Sequence, residues 1–180
     1  MRPTTIYGVT KLAGELLGDY YSAAFKVDSR GIRYPGIVSH KTLPGGGTTD
    51  FAVDIFHQAI KKGKYTSYLH PNTTLDLMYM PDALRATNEL MQVDKKNLTA
   101  PNAYNVAAIS TDIASLGAAI RNHIPHFQID YQIDPKRQAI ADSWPNSIAD
   151  KAAQKDWGWK AEFSLEEMFS DMLFHLKIKS

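Results

Sequence analysis

Hydrophobic residues recur along this chain with two periods, and the two periods divide it into helices and strands. Spacings of three and four residues predict helices, and short alternating or continuous apolar runs predict strands. The predicted helices cover residues 5–25, about 49–62, 81 onward, about 111–123, 146–156 and 164 onward. The predicted strands cover residues 27–34, 64–69, 75–80, 104–106 and 127–132. Because helices and strands alternate throughout, the sequence predicts an α/β fold.

Polar residues and glycines mark the ends of these elements. Thr48 or Thr49 is expected to cap the second helix, and Gly63 is expected to end it. Ser110 or Thr111 is expected to cap the fourth helix. The remaining end signals are a Pro35-Gly36 turn after the first strand, Pro81 at a helix start and a capping box over 164–167.

Composition and charge limit the functions open to the chain. Its 180 residues include 20 Lys and Arg against 19 Asp and Glu, for a formal net charge of +1, and no Cys. The near-neutral balance argues against a nucleic-acid partner, and no apolar run reaches the about 18 residues of a membrane span. The absence of Cys excludes disulfides and thiolate nucleophiles. Without a signal-peptide pattern, the default compartment is the cytoplasm, or the mitochondrion if a longer eukaryotic precursor exists.

Tyr7 and Lys11 are a candidate catalytic pair on the first predicted helix. Their spacing of four residues stacks both side chains on one face. A neighbouring ammonium favours the phenolate form of tyrosine, and such a tyrosine can accept a proton from an alcohol. The same spacing is also typical of a core tyrosine beside a surface lysine, so spacing alone leaves both interpretations open.

A glycine-rich loop precedes the second predicted helix. The run Gly45-Gly46-Gly47 exposes backbone N–H groups at the positive end of the helix dipole, which is a natural seat for a carboxylate. Thr48 and Thr49 offer hydroxyl donors, and Asp50 offers a partner for an ammonium group. A flexible loop with a threonine cap is the alternative.

The histidines do not predict a metal site. His123 and His126 are three residues apart, but Pro125 lies between them and no carboxylate cluster follows. The other histidines stand singly in the sequence and are interpreted as surface or core residues. They are His40, His57, His70 and His175.

Collinear motifs along nearly the whole chain carry a family resemblance. Around the tyrosine and lysine the chain reads TIYGVTKLAGE, which resembles the YxxxK helix of extended short-chain dehydrogenases. The later motifs resemble short-chain-type L-threonine 3-dehydrogenases. They read RGIRYPGIV, LPGGGTTDFA, LMYMPDALRA, YNV, RQ followed by IADSWP, and DWGWK.

The resemblance implies a reaction and a set of site residues. Members of that family oxidise the C3 hydroxyl of L-threonine to 2-amino-3-ketobutyrate with NAD. By position, Tyr7 would be the general base, and Lys11 would support it and hold the nicotinamide ribose. The segment expected beside the nicotinamide is Tyr34, Pro35, Gly36 and Ile37. The expected substrate residues are Gly47, Thr48, Thr49, Asp50 and Trp144, although Trp144 also suits a core position.

The resemblance also implies a division of the chain and a missing part. Residues 1–40 would hold the active-site helix and the last piece of the dinucleotide-binding domain. Residues 41–180 would form a small α/β substrate lobe, interleaved with returning Rossmann elements over 78–110. The glycine-rich NAD loop and the catalytic Ser or Thr of the family cannot be located in the sequence. We therefore expect the C-terminal part of an extended Rossmann fold with an incomplete sheet, binding NAD poorly and showing little activity alone.

Two alternatives remain open from the sequence. Nucleotide-sugar epimerases and dehydratases of the same superfamily also carry YxxxK, although the GGGTTD, DSWP and DWGWK motifs argue against them. The second alternative is a non-catalytic remnant that pairs with a second copy of itself. Either way, the resemblance implies a homodimer formed through the YxxxK helix. Apolar residues lie on more than one face of that helix; they include Leu12, Leu16, Leu17, Tyr20 and Tyr21.

Overall fold

A computed structural model of the chain describes residues 3–47 and 49–178. The chain forms two compact units. The first unit contains the chain up to Tyr34 together with Leu84–Val106 and Ala149–Trp159. The second unit contains Pro35–Ala83, Ala107–Ile148 and the chain from Lys160 onward.

Helices and strands alternate within the described residues, so the predicted α/β class is confirmed. The helices are α1 (Ile6–Phe25), α2 (Phe51–Lys62), α3 (Met80–Gln92), α4 (Ile113–His123), α5 (Pro135–Asp142), α6 (Lys151–Trp157) and α7 (Leu165–Ile178). The strands are β1 (Ile32–Arg33), β2 (Gly36–Val38), β3 (Lys64–Ser67), β4 (Thr74–Tyr79), β5 (Tyr104–Asn105), β6 (Ile109–Asp112) and β7 (Gln128–Tyr131). In the part of the chain that the structure describes, none of these helices combines the length and apolar character needed to cross a membrane.

Helix α1 turns most of its large apolar residues outward, and a narrow stripe of mostly small and polar residues faces inward. Thr5 caps the helix, because its hydroxyl accepts a hydrogen bond from the Gly8 amide at 3.1 Å. Every described residue of α1 outside one narrow stripe is exposed. The stripe, at helical spacing, is Gly8, Leu12, Glu15, Gly18 and Ser22. The exposed large side chains of α1 are Ile6, Tyr7, Val9, Leu16, Leu17, Tyr20, Tyr21 and Phe25.

Polar contacts hold α1 within the first unit. The Arg33 guanidinium donates two hydrogen bonds to the Glu15 carboxylate, and Asn102 donates one to Asp19 at 2.8 Å. Gly18 allows this close approach, because a Cβ there would lie 3.0 Å from the Asn102 side chain. β1 pairs in parallel with β5, which places Arg33 opposite Asn105.

The second unit has a three-stranded sheet and a separate strand pair. β2 and β4 run parallel, β4 and β6 run antiparallel, and β3 pairs in parallel with β7. Helices α2 and α7 pack together, with the rings of Phe56 and Phe169 4.5 Å apart. The last helix buries the residues of one apolar face. These are Met168, Phe169, Met172, Leu173 and Leu176.

Several predicted boundaries of helices and strands are wrong. Two helices begin after polar residues other than the expected ones. Asp50 precedes α2, although its side chain does not bond the first turn, and Asp112 caps α4 in place of Ser110 or Thr111. Thr48 lies outside the described residues. The predicted strand over 27–34 is reduced to β1, and Gly36 begins β2 instead of closing a turn.

Two elements were missed or shortened. Helix α5 was not predicted, although Asp134 accepts hydrogen bonds from the amides of Lys136 and Arg137 and Pro135 occupies its first turn. The predicted helix over 146–156 is limited to α6.

The predicted end of α2 is confirmed, because Gly63 adopts φ +64° there. The capping box before α7 is also confirmed, with Ser164 and Glu167 bonded to each other's backbone.

Candidate active site

Tyr7 and Lys11 lie together on the exposed surface of α1. The Lys11 Nζ atom is 5.4 Å from the centroid of the Tyr7 ring. The Tyr7 side chain is 70% exposed, so the core-tyrosine alternative is wrong. The pair is therefore arranged on one face, with the ammonium beside the phenol ring and both groups accessible to a reactant.

The segment expected beside a nicotinamide runs from the first unit into the second. Tyr34 belongs to the first unit, where its hydroxyl is hydrogen-bonded to the Thr87 hydroxyl. Pro35 begins the second unit and leads into β2, where Ile37 pairs with Met78. The Ile37 side chain is partly exposed.

Gly36 brings the start of β2 against the loop that precedes α2. A Cβ on Gly36 would lie 3.0 Å from Thr49 Cγ2 and 3.1 Å from Leu77 Cδ2. Glycine is needed here for close packing, because a larger residue would press against Thr49. The structure thus places one expected cofactor residue in contact with one expected substrate residue.

The glycine-rich loop already coordinates a carboxylate from its own chain. Asp50 Oδ2 accepts hydrogen bonds from the amides of Gly46 at 2.6 Å and Gly47 at 2.8 Å. Gly46 adopts φ +102°, which favours glycine. The amides that we expected to receive a substrate carboxylate therefore have the geometry to bind one, and Asp50 occupies them.

Trp144 lies just after the end of α5. Its amide donates a hydrogen bond to the Ala141 carbonyl at 3.1 Å, and its side chain is 38% exposed. The alternative interpretation of Trp144 as a core aromatic is therefore wrong.

Two of the motifs that carry the resemblance meet in the first unit and have a structural role. The Tyr104 hydroxyl donates to the Asp156 carboxylate, and the Thr99 amide donates to both groups at 2.9 and 2.8 Å. The Tyr104 ring meets the Trp157 ring edge-on at 4.5 Å. Burial raises the pKa of Tyr104, whereas hydrogen bonds from Thr99 and Tyr104 lower the pKa of Asp156.

Other motifs hold the second unit together. The Gln138 side chain is buried, accepts a hydrogen bond from the His70 amide at 2.9 Å and donates to Thr73 at 3.0 Å. The buried Asp82 carboxylate accepts hydrogen bonds from the amides of Glu162 and Phe163 at 3.0 and 3.1 Å. Buried carboxylates and amides need such partners, so these motif residues stabilise the fold.

Sequence reasoning missed a cluster of titratable side chains in the second unit. The Tyr79 hydroxyl donates to Asp171 and accepts from His40 Nδ1 at 2.9 Å, and the His40 and His175 rings stack at 4.1 Å. His40 and His175 stand far apart in the sequence and lie side by side in the fold. Burial and the bond to Asp171 raise the pKa of Tyr79. The only sequence signal was the spacing of four residues between Asp171 and His175.

Comparison with known structures identifies the fold first. The chain matches UDP-glucuronic acid 4-epimerase from Bacillus cereus with a TM-score of 0.78 at 17% identity, over 99% of this chain and 55% of that chain. At this identity the likeness establishes the fold alone, which is the Rossmann-like fold of extended short-chain dehydrogenases. No protein-family model matches the chain.

Closer similarity is to L-threonine dehydrogenases. The chain is 49% identical over 175 residues to the mitochondrial L-threonine 3-dehydrogenase of Bos taurus, covering 97% of this chain and 47% of that protein. It matches the solved enzyme of Clostridium difficile with a TM-score of 0.96 at 48% identity, over 99% of this chain and 56% of that one. A holo form from Cupriavidus necator matches with a TM-score of 0.93 at 53% identity, over 98% and 57%.

A protein of Staphylococcus haemolyticus described as an uncharacterized epimerase/dehydratase is also similar. It is 48% identical over 172 residues, covering 96% of this chain and 54% of that protein. The chain therefore spans about half the length of the curated relatives it matches. These comparisons confirm the resemblance to threonine dehydrogenases that the sequence motifs indicated.

Proposed function

We propose that this chain supplies the active-site helix and substrate-binding part of an NAD-dependent L-threonine 3-dehydrogenase. The observation that carries the proposal is the 48–53% identity to threonine dehydrogenases over nearly the whole chain. The adjacent Tyr7 and Lys11 on α1 support it, because oxidation of an alcohol needs a base for the hydroxyl proton.

The proposed roles of the residues follow from where protons and charges must go. Lys11 stabilises the phenolate form of Tyr7, and this phenolate accepts the proton of the threonine C3 hydroxyl and becomes a neutral phenol. Bound NAD would supply the hydride acceptor for C3. Lys11 and the Tyr34–Ile37 segment (Tyr34, Pro35, Gly36, Ile37) are the proposed contacts of the nicotinamide ribose and carboxamide. The exposure of Lys11 and Tyr7 fits this role, since buried side chains would not reach a bound dinucleotide.

The loop before α2 and the tryptophan after α5 form the proposed threonine-binding part. Gly47 and the loop amides would bind the substrate carboxylate, and Asp50 would then turn to the substrate ammonium. Thr48 and Thr49 are proposed hydroxyl donors, and Trp144 is a proposed wall of the pocket. The contact between Gly36 and Thr49 supports this arrangement, because it brings the proposed cofactor and substrate segments together within the second unit.

We further propose a homodimer formed through α1. Besides Tyr7, the helix exposes seven large apolar side chains, an arrangement that is unfavourable in water and typical of a surface that another element covers. The element that covers these side chains is either α1 of a second copy or a further part of the dehydrogenase. The cytoplasm is the proposed compartment, with the mitochondrion as the alternative because the bovine relative is described as mitochondrial.

The test is a chimera in which this chain replaces the matched part of the Clostridium difficile enzyme. We expect the chimera to form NADH with L-threonine, and the isolated chain to show little activity. UDP-sugars serve as the competing substrates, because the Staphylococcus haemolyticus relative is described as an epimerase/dehydratase. A folded chimera that turns over UDP-sugars in preference to threonine would contradict the proposal.

A further inference from the structure

A cavity of about 280 Å³ lies in the second unit, and none of its lining residues is assigned to threonine oxidation. The lining combines residues 40–43, which follow β2, with His57, Ile60 and Lys61 of α2 and Leu176 of α7. A volume of this size suits a small molecule, because pockets for drug-sized ligands start at about 300 Å³. We call this space the Lys41–Lys61 cavity, after its two lysines.

The lining of the Lys41–Lys61 cavity carries two positive charges and no carboxylate among the described residues. Within residues 3–47 and 49–178, neither Lys41 nor Lys61 takes part in an ion pair. The two lysines come from different segments, so the fold brings their charges to one cavity. Like charges that share a cavity repel each other, and an anion between them replaces this repulsion with attraction.

Carboxylates on the helices that line the cavity are engaged with other groups. Asp54 on α2 accepts a hydrogen bond from the Gln58 side chain at 3.1 Å. Asp171 on α7 accepts a hydrogen bond from the Tyr79 hydroxyl. Neither carboxylate lines the cavity, so the positive charges of the two lysines there remain uncompensated by the described part of the chain.

His57 adds a neutral hydrogen-bond donor to the lining. Its ring is half-buried, and its Nε2 atom is buried without a hydrogen-bond partner among the described residues. A buried N–H without an acceptor is rarer than a buried acceptor without a donor, so the proton of the neutral ring is expected on Nδ1. Burial and the neighbouring Lys61 ammonium lower the pKa of His57, so the ring is neutral at pH 7 and offers Nδ1–H to a ligand.

Apolar side chains form another part of the lining. Leu43, Ile60 and Leu176 contribute to it, and Leu43 is 70% exposed. An inorganic anion would leave these side chains in contact with water. A ligand that combines a charged group with an organic group would cover them and gain the free energy of apolar burial.

We propose that the Lys41–Lys61 cavity binds a small organic phosphate monoester. The phosphate group lies between the two ammonium groups and accepts a hydrogen bond from His57, and the organic group lies against Leu43 and Leu176. A phosphate monoester carries a charge of about −1.5 to −2 at pH 7 and three acceptor oxygens, which match two ammonium groups and one N–H donor. A carboxylate carries one charge and would leave one lysine uncompensated.

The test is calorimetric titration of the purified chain with n-propyl phosphate, with inorganic phosphate and butanoate as comparison ligands. We expect one n-propyl phosphate per chain. Each buried CH₂ group strengthens binding about fourfold, so inorganic phosphate is expected to bind at least about tenfold more weakly. Butanoate has a similar organic group but only one charge, and it is also expected to bind about tenfold more weakly. Added salt is expected to weaken binding of n-propyl phosphate, because the lysines are exposed.

Variants locate the binding in the cavity. Lys41→Met and Lys61→Met are each expected to weaken binding of n-propyl phosphate about ten- to a hundredfold, the usual range for a hydrogen bond to a charged group. His57→Phe keeps a ring and removes the donor, so a loss of about two- to tenfold is expected. Lys62→Met is the matched control, because Lys62 is the next residue of α2, is exposed and does not line this cavity. Far-UV circular dichroism checks that each variant is folded.

Three outcomes would overturn the proposal. One is the absence of saturable binding of n-propyl phosphate at concentrations up to about 10 mM. Another is an equal loss in Lys62→Met and Lys61→Met, which would indicate a general attraction of anions to the positive surface. The third is inorganic phosphate that binds as tightly as n-propyl phosphate, which would contradict a site for a monoester. Because the readout is ligand binding by the chain itself, the result is independent of whether the threonine dehydrogenase proposal holds.

Discussion

The Asp50 carboxylate accepts a hydrogen bond from the Gly47 amide at 2.8 Å, at the position where the glycine-rich loop is expected to bind an anion. The same oxygen accepts a hydrogen bond from the Gly46 amide at 2.6 Å. In the proposed threonine complex the substrate carboxylate takes over these amides. Asp50 is then released, and its negative charge becomes available to the substrate ammonium. One side chain would thus keep the loop ordered without substrate and select an amino acid when substrate binds.

Asp50→Asn in the chimeric enzyme tests this exchange. The variant keeps an oxygen acceptor for the loop amides but removes the charge that meets the ammonium. We expect kcat/KM for L-threonine to fall about ten- to a hundredfold, which is the usual range for one charge-assisted hydrogen bond. The matched control substrate is 3-hydroxybutanoate, which lacks the ammonium group. We expect its kcat/KM to be the same in the variant and the parent chimera. Equal losses for both substrates would show that Asp50 acts only on the loop.

Tyr7→Phe tests the proposed general base in the same chimera. Removing the hydroxyl leaves the substrate proton without an acceptor, so kcat is expected to fall about 10²- to 10⁴-fold while KM changes little. Lys11→Met is expected to lower kcat and to raise KM for NAD. The control is Tyr21→Phe, which removes a hydroxyl from another exposed tyrosine of α1. A Tyr7→Phe chimera with undiminished turnover would exclude this residue as the base.

Gly36→Ala tests the contact between β2 and the loop before α2. The added Cβ would lie 3.0 Å from Thr49 Cγ2 and 3.1 Å from Leu77 Cδ2, so we expect the free energy of unfolding to fall by about 1–3 kcal/mol in urea denaturation. Gly45→Ala is the matched control, because a Cβ there meets nothing within 4 Å.

The double variant Gly36→Ala with Thr49→Ser removes the nearest methyl group. We expect it to recover part of the loss in the free energy of unfolding, because the nearest of the close contacts disappears. If Gly36→Ala is as stable as Gly45→Ala, the close approach of Thr49 to Gly36 is not a feature of the folded chain.

Elements with strong local signals were predictable from the sequence. The spacing of apolar residues predicts α1 and α7, and Gly63 predicts the end of α2. The structure contains both helices and the left-handed glycine. The inward and outward faces of α1 were not predictable, because a helix with apolar residues all round gives no orientation. Contacts to Arg33 and Asn102 decide which face turns inward.

Sites built from distant residues could not be found by spacing. His40 and Tyr79 meet because Val38 and Tyr79 are paired across β2 and β4, and α7 then brings Asp171 to the same point. Likewise, the carboxylate of Asp50 turns back to the loop because Gly46 adopts a positive φ. Register and tertiary packing carry this information, and neither is visible in local periodicity.

The network around Tyr104 and Asp156 predicts a dependence of stability on pH. Hydrogen bonds from Thr99 and Tyr104 lower the pKa of Asp156 below its ordinary value of 3.8 in the folded state. The charged carboxylate therefore stabilises the fold fully above that value, and this contribution is lost as the pH falls through the lowered pKa. We expect Asp156→Asn to be less stable than the parent chain near neutral pH, with a difference that shrinks at about pH 3.

Thermal unfolding of the two chains at both pH values measures the effect. Asp130→Asn is the control, because Asp130 forms an exposed ion pair with Lys64 at 2.6 Å, and exposed pairs contribute little. A stability gap between the parent chain and Asp156→Asn that widens on acidification would contradict the assigned direction of the pKa shift.

The outward face of α1 predicts self-association of the chain. Leu16, Leu17 and Tyr20 are each more than half exposed, and burying side chains of this size contributes about 1.5–3 kcal/mol each. We therefore expect the purified chain to be a dimer at micromolar concentration by light scattering, and Leu17→Asp to shift it towards the monomer. Met91→Asp is the matched control, since Met91 is 68% exposed on α3. A parent chain that is monomeric under these conditions would contradict a homodimer formed through α1.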